Sequence, residues 1–121
     1  MKKIVVIEDD FDVTDVLKQL FKENGYIGMF FNDSRKAIIE IENILPDLII
    51  TDLMMPNFDG FQVCSYLKSN PKTKRIPVIV ITGYDSSENR KKIFNINVDD
   101  YLSKPFDLKD MLRKIESLTG I

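Results

Sequence analysis

The sequence predicts an α/β fold: an open, doubly wound sandwich of five parallel strands and five helices. Three observations carry the prediction. Short β-branched runs alternate along the whole chain with segments whose apolar residues recur every three or four positions. The best of those runs are continuously apolar rather than alternating, as strands buried on both faces must be. The chain has 121 residues, enough for one domain of five strand-helix units and too few for an eight-stranded barrel.

The first strand runs from Lys3 to Ile7. In the helix that follows, Val13, Val16, Leu17, Leu20 and Phe21 fall at helical spacing. Asp10 or Asp12 stands where an N-cap belongs, and Asn24-Gly25 supplies a C-terminal cap. Tyr26 to Phe31 reads as the second strand, Ser34 to Leu45 as a helix stopped by Pro46, and Leu48 to Thr51 as the third strand. Phe61 to Ser69 reads as the third helix, stopped by Asn70-Pro71, and Val78 to Thr82 as the fourth strand. The fourth helix is expected over Ser86 to Ile96, anchored chiefly by Ile93, Phe94 and Ile96, with Asp85 and Glu88 spaced as a capping box. Tyr101 to Ser103 gives the fifth strand. The last helix carries Leu108, Met111, Leu112, Ile115 and Leu118 on one stripe, with a second capping-box spacing at Asp107 and Asp110.

Strict alternation forces parallel strands with right-handed crossovers, because each helix must carry the chain back across the sheet. The flavodoxin-like strand order 2-1-3-4-5 fits the size. In such sheets ligands bind outside the carboxyl ends of the strands, where the strand order reverses. Glu8, Asp9, Asp10, Asp52, Thr82 and Lys104 all fall at that end. Singly, each has an ordinary reading as a turn former, a helix cap or a solvated side chain. Together, clustered carboxylates repel unless protonated or neutralised, and hard oxygen donors suit Mg²⁺, which needs only one or two carboxylates.

Composition narrows the function. Lys plus Arg is 17 and Asp plus Glu is 19, a net charge of −2, so there is no basic surplus to serve as a footprint for direct nucleic-acid binding. With no histidine, the chain has no Ser-His-Asp triad, no His-ligated zinc and no phosphohistidine of its own. The lone Cys64 lies in a helical apolar pattern and reads as core. No apolar run approaches the roughly 20 residues of a membrane span, and Met1-Lys2-Lys3 leads straight into a strand rather than a signal peptide, so a cytoplasmic protein is expected.

Four motifs then agree. The strand Ile4 to Ile7 with Glu8-Asp9, the stretch Asp47 to Gly60 around Asp52, the step Thr82-Gly83, and Asp99 to Phe106 around Lys104-Pro105 resemble the receiver domain of bacterial two-component response regulators. The likeness covers residues 1–121 as one domain. It implies a signalling switch and not a turnover enzyme, although such a domain promotes its own phosphorylation and dephosphorylation. Asp52 would accept a phosphoryl group from the phosphohistidine of a sensor histidine kinase or phosphotransfer protein. Glu8, Asp9, Asp52 and the backbone carbonyl of Met54 would hold Mg²⁺, while Lys104 and Thr82 would contact the phosphoryl oxygens.

The resemblance also implies a cis bond before Pro105, and a switch in which Tyr101 follows Thr82. The face made by the fourth helix, fifth strand and fifth helix would bind a downstream protein target. Oligomeric state would be monomer or phosphorylation-dependent dimer. Gly60 and Pro56 bracket the loop after Asp52, and Met54 and Tyr84 occupy positions that tune dephosphorylation in the family. Asn97-Val98 stands where a Gly-Ala pair is common, and Asn is the next-best residue for a left-handed cap.

Alternatives stand beside this reading. The domain is either a complete single-domain regulator or a receiver excised from a larger response regulator or hybrid kinase. Asp10-Phe11-Asp12-Val13-Thr14 matches the nucleophile motif of haloacid-dehalogenase-like phosphatases, but the order of the acidic pair and the lysine argues against that fold. A flavin or nucleotide module would require a Gly-rich phosphate loop after the first strand, where none occurs.

Overall fold

The computed structural model describes residues 1–55, 59–83, 86–96 and 98–120. Five strands and five helices alternate: β1 (Lys3–Ile7), α1 (Phe11–Asn24), β2 (Ile27–Phe31), α2 (Ser34–Ile44), β3 (Leu48–Asp52), α3 (Gly60–Ser69), β4 (Val78–Thr82), α4 (Ser87–Asn95), β5 (Asp100–Ser103) and α5 (Leu108–Thr119). All strand pairings are parallel and the sheet order is β2-β1-β3-β4-β5, as the sequence predicts.

Every residue of β3 and β4 is buried, and so are the last four of β1, because helices cover both faces. Side chains alternate between two cores. Ile4, Val6, Leu48, Ile50, Ile79 and Ile81 pack with Leu17 and Phe21 of α1 and Met111 and Ile115 of α5. Val5, Ile7, Ile49, Val78 and Val80 pack with α2, α3 and α4 through Ala37, Ile41, Val63, Cys64, Leu67 and Ile93. Burying each large aliphatic side chain contributes roughly 1.5–3 kcal/mol, so the three central strands dominate the hydrophobic stabilisation.

Helix ends follow local chemistry. The side chain of Asp10 accepts from the Asp12 N–H and caps α1, whose other end turns through Gly25 at φ 73°. Leu45 ends α2 in the same left-handed conformation at φ 48°, so the helix stops one residue before the expected end. The Lys104–Pro105 bond is cis, in agreement with the expectation.

Several expectations need correction. The second strand starts at Ile27, because Tyr26 turns inward against Phe21. The fourth helix is capped by Ser86, which accepts from the Asn89 N–H at 3.1 Å; the expected Asp85–Glu88 box falls on Asp85, which lies outside the described residues. Asp107 caps α5 through Lys109 N at 2.7 Å, while Asp110 pairs with Arg113 instead of completing a box. The one capping box seen among the described residues opens α3, where Asp59 and Gln62 exchange hydrogen bonds of 2.9 Å each.

Burial also departs from the stripes. Val16 and Leu108 are exposed, and Thr14 takes the buried place in α1 with its hydroxyl donating to the Phe11 carbonyl. Phe94 is 83% exposed while Ile93 is 2%: adjacent residues lie about 100° apart around a helix, so only one of the two can face the sheet. Pro56, Tyr84, Asp85 and Asn97 lie outside the described residues.

Candidate functional site

The carboxyl ends of β1, β3, β4 and β5 are level with one another, since Ile7 pairs with Thr51, Asp52 with Ile81 and Thr82 with Ser103. The ladder continues one residue further. Glu8 N donates to Phe31 O (2.9 Å), Leu53 N to Ile81 O (2.9 Å) and Lys104 N to Thr82 O (2.7 Å). The backbones that carry the polar side chains are therefore held by the sheet itself, which suits a site needing fixed geometry.

Glu8, Asp9 and Asp52 each offer a carboxylate oxygen within 4.8 Å of the others. Glu8 and Asp52 are buried and Asp9 is exposed, so the cluster opens to solvent through Asp9. The Lys104 ammonium donates to Glu8 Oε1 at 2.8 Å and to Asp52 Oδ2 at 3.3 Å. Asp52 Oδ1 also accepts from Met54 N at 3.3 Å, and Glu8 Oε1 from Asp10 N at 3.3 Å. The Met54 side chain points outward.

Glu8 Oε2 is buried without a hydrogen-bond partner among the described residues. Burial, with the nearby Asp52 charge adding, pushes the Glu8 carboxyl up to about 7 against the opposing Lys104 hydrogen bond. Burial alone would lower the Lys104 ammonium, but its contacts with Glu8 and Asp52 outweigh that and hold it above the ordinary lysine value.

Three formal negative charges against one positive leave a deficit of two, which a divalent cation would offset. An orphaned buried carboxylate oxygen beside two further hard-oxygen donors is the environment such an ion requires. The residues present fit Mg²⁺.

Thr82 is buried at the end of β4, beside this cluster in the sheet order. Tyr101 pairs with Val80, two positions before Thr82, and packs half-buried on the core beneath α4. Strand alternation puts Thr82 and Tyr101 on that same face. Glu8, Asp9, Asp52, Thr82 and Lys104 thus gather at the carboxyl ends of the strands. Asp10 and Asp12 do not join them: both are exposed, and the Asp10 side chain serves the α1 cap. The aspartates of the phosphatase-like motif are therefore not part of the acid cluster.

Two features were not anticipated. Asp99 Oδ2 accepts from both Val78 N (2.8 Å) and Lys68 Nζ (3.0 Å), tying α3 to the starts of β4 and β5. Its partners are 21 and 31 positions away, so no local pattern announces it. The Asp59–Gln62 box was readable by spacing, but Gly60, a poor helix former, disguised the helix start.

A doubly wound sheet with an acidic cleft at its switch point defines a class of flavodoxin-like α/β domains that present their sites at the carboxyl ends of the strands. The chain belongs to the response regulator receiver domain family, whose model matches residues 4–116. Members are signalling domains of two-component systems rather than turnover enzymes.

The chain is 35% identical over 118 residues to the DNA-binding dual master transcriptional regulator RpaA of Synechocystis sp., covering 98% of this chain and 49% of that protein. It is also 35% identical over 116 residues to response regulator MprA of Mycolicibacterium vanbaalenii, covering 96% of this chain and 49% of that one. It spans about half the length of these curated relatives. Among solved structures, the signal receiver domain of a signal transduction histidine kinase from Syntrophus aciditrophicus superposes with a TM-score of 0.92 at 28% identity, covering 99% of this chain and 91% of that chain. No helix among the described residues is long and apolar enough to cross a membrane.

Proposed function

We propose that residues 1–121 act as one cytoplasmic receiver module that takes a phosphoryl group on Asp52 from the phosphohistidine of a sensor histidine kinase or phosphotransfer protein. The observation that supports this most is the Lys104 ammonium lying 2.8 Å from Glu8 and 3.3 Å from Asp52 within a buried acid cluster. An Asp52 oxygen attacks phosphorus, a P–O bond forms, and the P–N bond to the donor imidazole breaks. Lys104 stabilises charge on the transferring oxygens, and the Thr82 hydroxyl donates to one of them once the group has arrived.

Glu8, Asp9, Asp52 and the Met54 carbonyl are the groups that would hold Mg²⁺. When bound, the ion supplies the positive charge that lets an anionic donor approach an anionic nucleophile. Phosphorylation then draws Thr82 toward Asp52 and opens space for Tyr101. This biases the α4-β5-α5 face, which binds a downstream protein target.

Acetyl phosphate with Mg²⁺ should add one phosphoryl mass, labile to hydroxylamine, to the intact protein. Asp52→Asn should abolish it. Undiminished labelling of that variant would refute the acceptor assignment.

A further inference from the structure

We propose that Gly60 is a positioning residue for Asp52: the first turn of α3 rests on the Asp52–Leu53 backbone, and the missing side chain at position 60 sets where the Asp52 carboxylate stands. The inference rests on the reading of Asp52 as acceptor. A Cβ at Gly60 would lie 2.5 Å from the Asp52 carbonyl oxygen, 2.7 Å from Leu53 Cα and 3.2 Å from the Asp52 carbonyl carbon. All three are backbone atoms, so no side chain can swing aside. Gly28 is the other crowded glycine, and it meets only phenylalanine rings, while Gly25, Gly83 and Gly120 have open space.

Both sides of the contact are tied in place, so relief on either side displaces structure. Gly60 N donates to Leu53 O at 2.8 Å. The Asp59–Gln62 box holds the turn, and Val63, Cys64 and Leu67 bury the helix behind it. On the strand side, Leu53 N is tied to Ile81 O at 2.9 Å and the Thr51 hydroxyl donates to Asp52 O at 3.1 Å. A methyl group at position 60 must then shift the end of β3, carrying the Asp52 carboxylate away from Lys104 and from the oxygens of Glu8 and Asp9. A misplacement of about 1 Å at a reacting group costs on the order of a hundredfold in rate.

The test compares Gly60→Ala with Thr73→Ala, which removes a hydrogen bond of 2.7 Å to Leu67 O at the other end of α3. Both are read by the rate of acetyl phosphate labelling and by Mg²⁺ affinity, at a temperature where circular dichroism matches wild type. Gly60→Ala is expected to label roughly 10- to 100-fold more slowly and to bind Mg²⁺ more weakly. Thr73→Ala should lower the melting temperature and leave both readings alone.

Wild-type rate and Mg²⁺ affinity in a folded Gly60→Ala, or an equal slowing in Thr73→Ala, would overturn the proposal. If Gly60→Ala does not fold, Asp59→Ala frees the same turn without filling it, and unchanged readings there overturn the proposal equally. Should wild type itself take no label, the acceptor reading is what fails, and the Mg²⁺ affinities still decide whether Gly60 positions the carboxylate.

Discussion

Lys104 reaches Glu8 across 96 positions of sequence and across the ends of the two strands that separate β5 from β1. Three strand spacings amount to roughly 14 Å, and the two side chains close that gap to 2.8 Å, with Asp52 Oδ2 3.3 Å from the same ammonium. One ammonium thus serves two buried carboxylates, and one Glu8 oxygen is left without a partner among the described residues.

On the proposed reading, that imbalance gives the folded state, and not the unfolded chain, a site for Mg²⁺. The melting temperature should rise with Mg²⁺, since an ion bound only by the native state stabilises it by about 2.7 kcal/mol at a hundredfold excess over Kd. Asp9→Ala, at the solvent edge of the cluster, should remove the dependence in calorimetric scans. An unchanged Mg²⁺ response would exclude Asp9 as a ligand.

Without metal, stability should fall as pH rises. The Glu8 carboxyl goes from a reference value of 4.5 up to about 7 on folding. Between those limits the native state holds more of the proton than the unfolded chain, so the slope of unfolding free energy with pH is negative. The contribution is fully present below 4.5 and is lost as pH passes 7. At about 1.4 kcal/mol per pKa unit, the loss is of the order of 3 kcal/mol. Urea titrations in chelator at pH 5.5 and 7.5 span part of that window and should show a fall of about 2 kcal/mol in wild type, and a much smaller difference in Glu8→Gln.

Coupling from the cleft to the α4 side should run through Thr82 and Tyr101. Beryllofluoride should change hydrogen exchange from Thr82 through Tyr101, and Thr82→Ala should keep phosphorylation while blunting the response at Tyr101. The phosphate acts only through the free-energy difference it makes between two states. A wild-type response at Tyr101 in Thr82→Ala would mean that the signal takes another route.

Cys64 should be chemically silent in the native protein. Burial pushes its thiol up to about 12, leaving almost no thiolate to react near neutral pH. A disulfide-exchange reagent at pH 8 should label it only at the rate of unfolding. Fast labelling of folded protein would contradict the buried position.

Asp99 should matter to stability but not to metal binding. Removing its carboxylate leaves Val78 N and Lys68 Nζ without an acceptor they share, at a cost of about 1–3 kcal/mol. Asp99→Ala should lower the urea midpoint by that amount with the Mg²⁺-dependent increment unchanged.

The architecture was legible because its cues are local. Continuous apolar runs at Lys3–Ile7, Leu48–Thr51 and Val78–Thr82, punctuated by Gly25, Pro46 and Pro71, specify buried strands and bounded helices without reference to distant contacts. The same cues failed where two local signals competed. Phe94 and Ile93 are equally apolar, and only docking decides which faces inward. Gly60 weakens a helix pattern that the Asp59–Gln62 box nonetheless starts.

The sequence by itself determined the alternation of strands and helices, the parallel order that follows from it, and the identity of the residues at the strand ends. Tertiary structure alone decided the interactions among them. Which oxygen of Glu8 meets Lys104, which is left bare, how Asp99 is shared, and how closely Gly60 approaches Asp52 all depend on chain segments brought together from tens of positions apart. Hydrophobic pattern is encoded residue by residue, whereas the protonation of a buried carboxylate depends on distance and desolvation, and these exist only once the chain has folded.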